Sequence, residues 1–165
     1  MIKEVEIPEG VSVELKDGEI VVKGEKGELR RKFEIERFGI KVEVKEGKVI
    51  VSSESERRKI KAMVGTIAAH VRNMIIGVTK GYTYKLRIVY AHFPVSVKVD
   101  GKKVIIENFL GERKPREAEI VGNAKVEVKK NEIVVTGIDK DEVSQTAANI
   151  ENATRITGVD RRRFI

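Results

Sequence analysis

The chain has no cysteine, no tryptophan and only two histidines, His70 and His92, in 165 residues. Without thiols it can form no disulfide, no thiolate metal site and no cysteine nucleophile. Two imidazoles leave little for a histidine-rich metal centre. Aromatic residues are 5 % of the chain. They form none of the stacking rows with which an RRM or OB sheet reads unpaired bases. No stretch approaches the ~18–20 consecutive apolar residues of a bilayer span. The opening MIKEVEIPEGVSVELK carries acids where a signal peptide needs an unbroken apolar region. What the chain has in plenty is charge: 36 % of residues are charged and 41 % hydrophobic, enough apolar material to build a core and exclude disorder. Its 33 Lys and Arg against 26 Asp and Glu give a net +7. That excess points first to nucleic acid and second to an anionic membrane surface.

The chain matches itself at an offset of 84 residues. Val11-Ser12-Val13 falls on Val95-Ser96-Val97, and Ile20-Val21-Val22 on Val104-Ile105-Ile106. Gly27-Glu28 falls on Gly111-Glu112, and Lys41-Val42-Glu43-Val44-Lys45 is identical to Lys125-Val126-Glu127-Val128-Lys129. One KVEVK could recur in any β protein, but four segments sharing one offset mark a tandem duplication. In the first copy, Val11–Lys16 and Glu19–Gly24 flank Asp17-Gly18, a hairpin signal. An extended segment, Glu28–Ile35, precedes a second hairpin, Ile40–Lys45 with Lys48–Ser53, whose turn is Glu46-Gly47. From Ser55 to Gly77 apolar residues recur at spacings of three and four, the pattern of an amphipathic helix, with Ser55 as N-cap and Gly77 as stop. The second copy predicts strands near 95–99, 103–108, 113–120, 124–129 and 132–136. A helix capped by Asp139 follows from Lys140 to Thr154. Tyr82–Ala91 alternates as a strand leading from one copy into the other. The reading is α+β: units 1–81 and 82–165, each with antiparallel strands packed on one helix.

No catalytic constellation is present. The chain has no GxGxxG, phosphate loop, GxSxG elbow or HExxH. His70 and His92 read as packing residues, and the acids at 54, 56, 139 and 141 flank helix starts, where the helix dipole favours them. The expectation is no enzyme, no metal and no cofactor.

The basic clusters say more. Arg30-Arg31-Lys32 and Arg57-Arg58-Lys59 have acids close by and read as solvated, paired surface. Arg113, Lys114 and Arg116 open a strand in the second copy. Beyond the second helix, Arg155, Arg161, Arg162 and Arg163 alternate with apolar Ile156, Val159 and Phe164. A purely solubilising tail has no use for such anchors, whereas arginines on an anchored extended segment suit phosphate contact and base stacking. The candidate RNA-binding residues are therefore Arg155, Arg161, Arg162, Arg163, Arg113, Lys114 and Arg116.

Three features together resemble a known family. They are the tandem α+β copies, the opening Val5-Glu6-Ile7-Pro8-Glu9-Gly10-Val11, and the long segment Ala62–Lys80. The ending Ile150-Glu151-Asn152-Ala153-Thr154-Arg155 … Asp160-Arg161-Arg162-Arg163-Phe164 adds to them. Over essentially its whole length the chain resembles large-subunit ribosomal protein six, in its archaeal and eukaryotic branch. The resemblance implies a cytoplasmic, structural component of the large ribosomal subunit. Its second copy and tail would bind large-subunit ribosomal RNA beside the sarcin–ricin region, near where translation factors dock. Neighbouring ribosomal proteins are implied partners, and a membrane is not. The first copy would lie further out, with much of a former RNA-binding role lost. Arg155, Arg161, Arg162 and Arg163 lie on the matching ending, whereas Arg113, Lys114 and Arg116 rest on charge alone. The family ending continues past the Phe with Asp-Gly-Ile-Tyr; here Ile165 follows Phe164 and nothing can be carried over. The alternative class is a protein-interaction scaffold using exposed strand edges; a hydrolase or nuclease ranks third.

Overall fold

The computed structural model describes residues 2–90 and 94–155. Its chain divides into two compact units, Met1–Gly81 and Tyr82–Ile165. The fold is α+β, and the two halves share one plan.

In the first unit six strands precede one helix: β1 Ile2–Glu6, β2 Ser12–Lys16, β3 Glu19–Gly24, β4 Gly27–Lys32, β5 Ile40–Lys45, β6 Lys48–Ser53 and α1 Arg58–Thr79. They form two antiparallel three-stranded sheets, ordered β1-β6-β5 and β2-β3-β4. The two hairpins close as the Asp-Gly and Glu-Gly signals require. Asp17 and Gly18 have φ of 45° and 80°, and Glu46 and Gly47 have 50° and 73°, the paired positive values of a type I′ turn. The central strands carry the most buried side chains, Ile20, Val21 and Val22 on β3 and Val49 and Val51 on β6. Against Ile20, Val22, Val49 and Val51 α1 lays Ile60, Val64, Ile67, Val71 and Ile75, the stripe its spacing predicted, and adds Val78 beyond the expected stop.

The second unit repeats the order: β7 Tyr82–Arg87, β8 Ser96–Asp100, β9 Lys103–Glu107, β10 Arg116–Glu119, β11 Lys125–Lys129, β12 Glu132–Gly137 and α2 Lys140–Ala153. Its sheets are ordered β11-β12-β7 and β10-β9-β8. Val104, Ile106, Ile133, Val135, Val143 and Ile150 form its core. The two KVEVK strands keep one register: Lys41 faces Ser52, and Lys125 faces Thr136, each pair displaced by 84.

Several expectations change. Strand β1 is an addition to the predicted elements; β7 is its counterpart and pairs within the second unit rather than linking the two. Val5 faces Val49 and Leu86 faces Ile133, so the offset there is 81, which hides the match from a single 84-residue shift. Gly27-Glu28 and Gly111-Glu112 are not equivalent. Leu29 faces Val22 while Arg116 faces Ile106, an offset of 87, because the β3–β4 turn at 25–26 has become a connection spanning 108–115. The strand expected over 113–120 accordingly begins only at Arg116. Arg57, not Ser55, stands at the α1 N-cap; the Ser55 hydroxyl instead accepts the Arg57 N–H at 3.3 Å, before the helix begins. The helix also passes Gly77 and ends where Gly81 turns left-handed at φ 76°. At the second helix Asp139 caps as expected, its Oδ1 accepting the Asp141 N–H at 2.9 Å. By length and composition α1 is apolar enough to cross a membrane, although polar residues interrupt every apolar run within it. Its buried stripe packs on β1, β3 and β6, while Arg58, Lys59 and Arg72 face solvent.

Two glycines give opposite expectations. A Cβ on Gly24 would stand 2.9 Å from the Val78 carbonyl oxygen, so Gly24→Ala should cost about 1–3 kcal/mol. A Cβ on Gly65, mid-helix, meets nothing within 4 Å, so Gly65→Ala should stabilise by about 0.5–1 kcal/mol. Denaturant midpoints of the two variants check both signs.

Candidate nucleic-acid interface

At one end of the second unit the β9–β10 connection meets the end of α2. The connection leaves β9 at Asn108, which turns left-handed (φ 59°) while its side-chain amide donates to the Pro94 carbonyl at 2.9 Å. Phe109–Gly111 then forms one 3-10 turn. Arg113 and Lys114 follow, exposed and without an ion pair among the described residues. Arg116 opens β10, half buried, in the place that Leu29 holds in the first unit.

Four of that guanidinium's five N–H donors are engaged. Its Nε and Nη2 donate to Glu112 Oε2 and Oε1 at 3.0 and 2.7 Å, the bidentate geometry in which arginine pairs best. Nη1 donates to the carbonyl oxygens of Ala153 at 2.9 Å and Arg155 at 3.1 Å. The guanidinium carbon lies 4.6 Å from the Phe109 ring centroid. A helix leaves its last carbonyls unsatisfied, and cations are favoured there. Arg116 meets both needs at the end of α2. Arg155 follows directly, exposed, its own N–H donating to Asn152 O at 3.1 Å.

Of the residues proposed from sequence, Arg113, Lys114, Arg116 and Arg155 therefore belong to one locality, drawn together by the Arg116 contact with the backbone of Arg155. Arg116 differs from the others in kind, since its donors are turned inward onto Glu112 and the helix end. Arg161, Arg162 and Arg163 lie outside the described residues. Sequence reasoning missed Phe109 and Glu112. The only signal was the Glu112…Arg116 spacing, which resembles a helical ion pair but here spans a turn and a strand start.

In the first unit Arg30 pairs with Glu28 at 2.7 Å, and outside the two clusters Arg37 pairs with Glu34 at 3.3 Å and Lys61 with Glu56 at 2.8 Å, while Arg57 and Arg58 are exposed. Arg31 and Lys59 lie over Phe33 and Phe38. His70 packs its ring 5.9 Å from that of Phe33. Among the described residues no group of His, Cys, Asp and Glu could hold a metal ion.

A sequence model described as Ribosomal protein L6 matches residues 7–81 and 93–164. The chain belongs to this family. It is 55 % identical to Large ribosomal subunit protein uL6 of Methanosarcina mazei, across 99 % of this chain and 94 % of the relative. The protein of that name from Methanobrevibacter smithii is 52 % identical, with 98 % and 90 % covered. That from Aeropyrum pernix is 47 % identical, with 100 % and 90 % covered. The resemblance read from the repeat and the ending is thus the family itself, on its archaeal side. Its members are structural ribosomal proteins, and this chain is not an enzyme. The break between the two matched segments, 82–92, covers β7 and the start of the lengthened connection to β8.

The hydrogen bonds from Arg116 hold the Glu112 carboxyl below the usual carboxylate range, helped by direct charge attraction and opposed by partial desolvation. A carboxylate depressed on folding stabilises the fold above its unfolded value of ~4.3, and that contribution is lost as pH falls through the folded value. Glu112→Gln should therefore lose less thermal stability than the parent between pH 7 and pH 3. Equal losses in parallel melting curves would contradict the assignment.

Proposed function

We propose that the protein is a constituent of the large ribosomal subunit, and so of the cytoplasm. In this reading it binds large-subunit ribosomal RNA mainly through the second unit, residues 82–165, and the segment after α2. The RNA surface belongs to the sarcin–ricin region, with translation factors nearby and other ribosomal proteins as neighbours. One observation carries this reading. Arg113, Lys114 and Arg155 are exposed and unpaired among the described residues, all at the end of the unit from which Arg161, Arg162 and Arg163 continue. Within the first unit Arg30 pairs with Glu28, Arg37 with Glu34 and Lys61 with Glu56.

The mechanism is neutralisation with register. Each Arg or Lys that meets a phosphate releases condensed counterions, which supplies affinity and makes it salt-dependent. The folded unit supplies orientation, because phosphate contacts position a protein on RNA without reading sequence. A-form RNA hides its base edges in a deep, narrow groove, so shape and phosphates are what such a surface meets.

Strand addition at the sheet edges fits less well. Four of the eight outer strands, β2, β4, β5 and β11, read SVELK, GELRRK, IKVEVK and KVEVK, and charges on edge strands block pairing with another chain.

Arg161→Ala combined with Arg162→Ala should weaken binding to a large-subunit RNA fragment. It should also flatten the dependence of log K on log salt, by about 1 for each phosphate that is no longer neutralised. Titrations at several salt concentrations give both quantities, and an unchanged affinity and slope would defeat the tail assignment.

A further inference from the structure

We propose that Arg116 serves RNA binding as a positioning residue, not as a phosphate ligand. Clamped by Glu112 and Phe109, it holds the end of α2 at Arg155 in one place with the exposed Arg113 and Lys114. This rests on the reading that this end of the second unit binds RNA.

The two copies close their helix ends differently. In the first, the β3–β4 turn contributes only backbone, the Lys26 N–H donating to Val78 O at 2.9 Å, beside the helix's own Thr79 hydroxyl, which donates to Ile75 O and Ile76 O. In the second, the lengthened connection brings a side chain to the same task at the end of α2. Every part of that device lies within 109–116, the stretch where the copies diverge: Phe109, Glu112 and Arg116. The fork reaches one carbonyl inside the helix, Ala153, and one beyond it, Arg155. Holding both fixes the backbone across the helix end as far as Arg155, the first arginine beyond it. It also ties Arg113 and Lys114, three and two residues upstream, to that end.

A phosphate ligand needs donors facing out, and a clamp needs them facing in. All four polar contacts of Arg116 are internal. Lysine would keep the charge but lose the planar fork that bridges a carboxylate and two carbonyls at once. Pre-organisation of this kind acts on affinity by sparing the ordering cost paid on binding.

The test uses the full chain, a large-subunit RNA fragment and two substitutions for which charge and clamp predict different signs. If charge governs, Glu112→Gln removes an acid from an RNA-facing surface and tightens binding, while Arg116→Lys is neutral. The clamp predicts that both weaken binding, by about three- to tenfold for the loss of charge-assisted hydrogen bonds. A double-mutant cycle separates positioning from general destabilisation. In a background with Arg113, Lys114 and Arg155 replaced by Ala, the penalty of Glu112→Gln should vanish, because the cations that the clamp positions are gone. Tighter binding by Glu112→Gln, unchanged binding by Arg116→Lys, or a penalty that persists in that background would each overturn the proposal. A chain with those three cations replaced that binds like the parent would instead overturn the reading that this end of the unit binds RNA.

Discussion

A unit of some eighty residues with a single helix has one way to close its core: that helix must cover the apolar faces of both three-stranded sheets. The rest of the architecture follows from this. Among the strands, the central β3, β6, β9 and β12 carry the fully buried valines and isoleucines, because only they have a partner on each side and the helix or packed side chains above. The outer strands keep one face in water and alternate Lys and Glu there. Register cannot slip, since a shift of one residue would turn Val49 and Val51 to solvent and Lys48 inward. Duplication copied this solution whole, down to the register of Lys41 and Lys125 against their partner strands.

Function then had to be written where the constraint is weakest. The strands and the helix stripe are held by packing, but the β–β connections and the chain beyond the helix are not. The two copies diverge in such places: a connection lengthened by three residues after β7, a turn expanded into 108–115, and a second helix shorter than the first. The expanded connection and the shorter helix meet at Arg116. A leucine position of the first unit has become an arginine that closes the helix end. Net charge conceals this: residues 1–82 hold 17 basic and 14 acidic groups, and the remainder 16 and 12. What separates the halves is placement, with Arg113, Lys114 and Arg155 exposed at one end of the second unit.

Local chemistry was legible in the sequence. Asp17-Gly18 and Glu46-Gly47 marked two hairpins because positive φ at both turn positions leaves few other residues eligible. The three-and-four spacing from Ile60 onward identified the buried face of α1, and Asp139 marked the start of α2. What depended on distant partners was not legible. Strand β1 has only Val5 well buried, and becomes a strand through pairing with β6. The Gly111-Glu112 match looked equivalent because identity alone carries no register; the pairing of β9 with β10 shows otherwise. Arg116 read as one more basic residue, since the carbonyls that occupy it lie 37 and 39 positions along the chain. The family was nonetheless within reach, because order, duplication and ending all survive at the level of sequence.

The proposed division of labour gives RNA binding to the second unit, where Arg113, Lys114 and Arg155 stand exposed at one end. Crosslinking of the protein within isolated large subunits, followed by mapping of the attached peptides and nucleotides, tests that division most directly. RNA-linked peptides are expected from the 108–116 connection and from the segment beyond residue 152. Crosslinks confined to residues 1–81 would contradict the division.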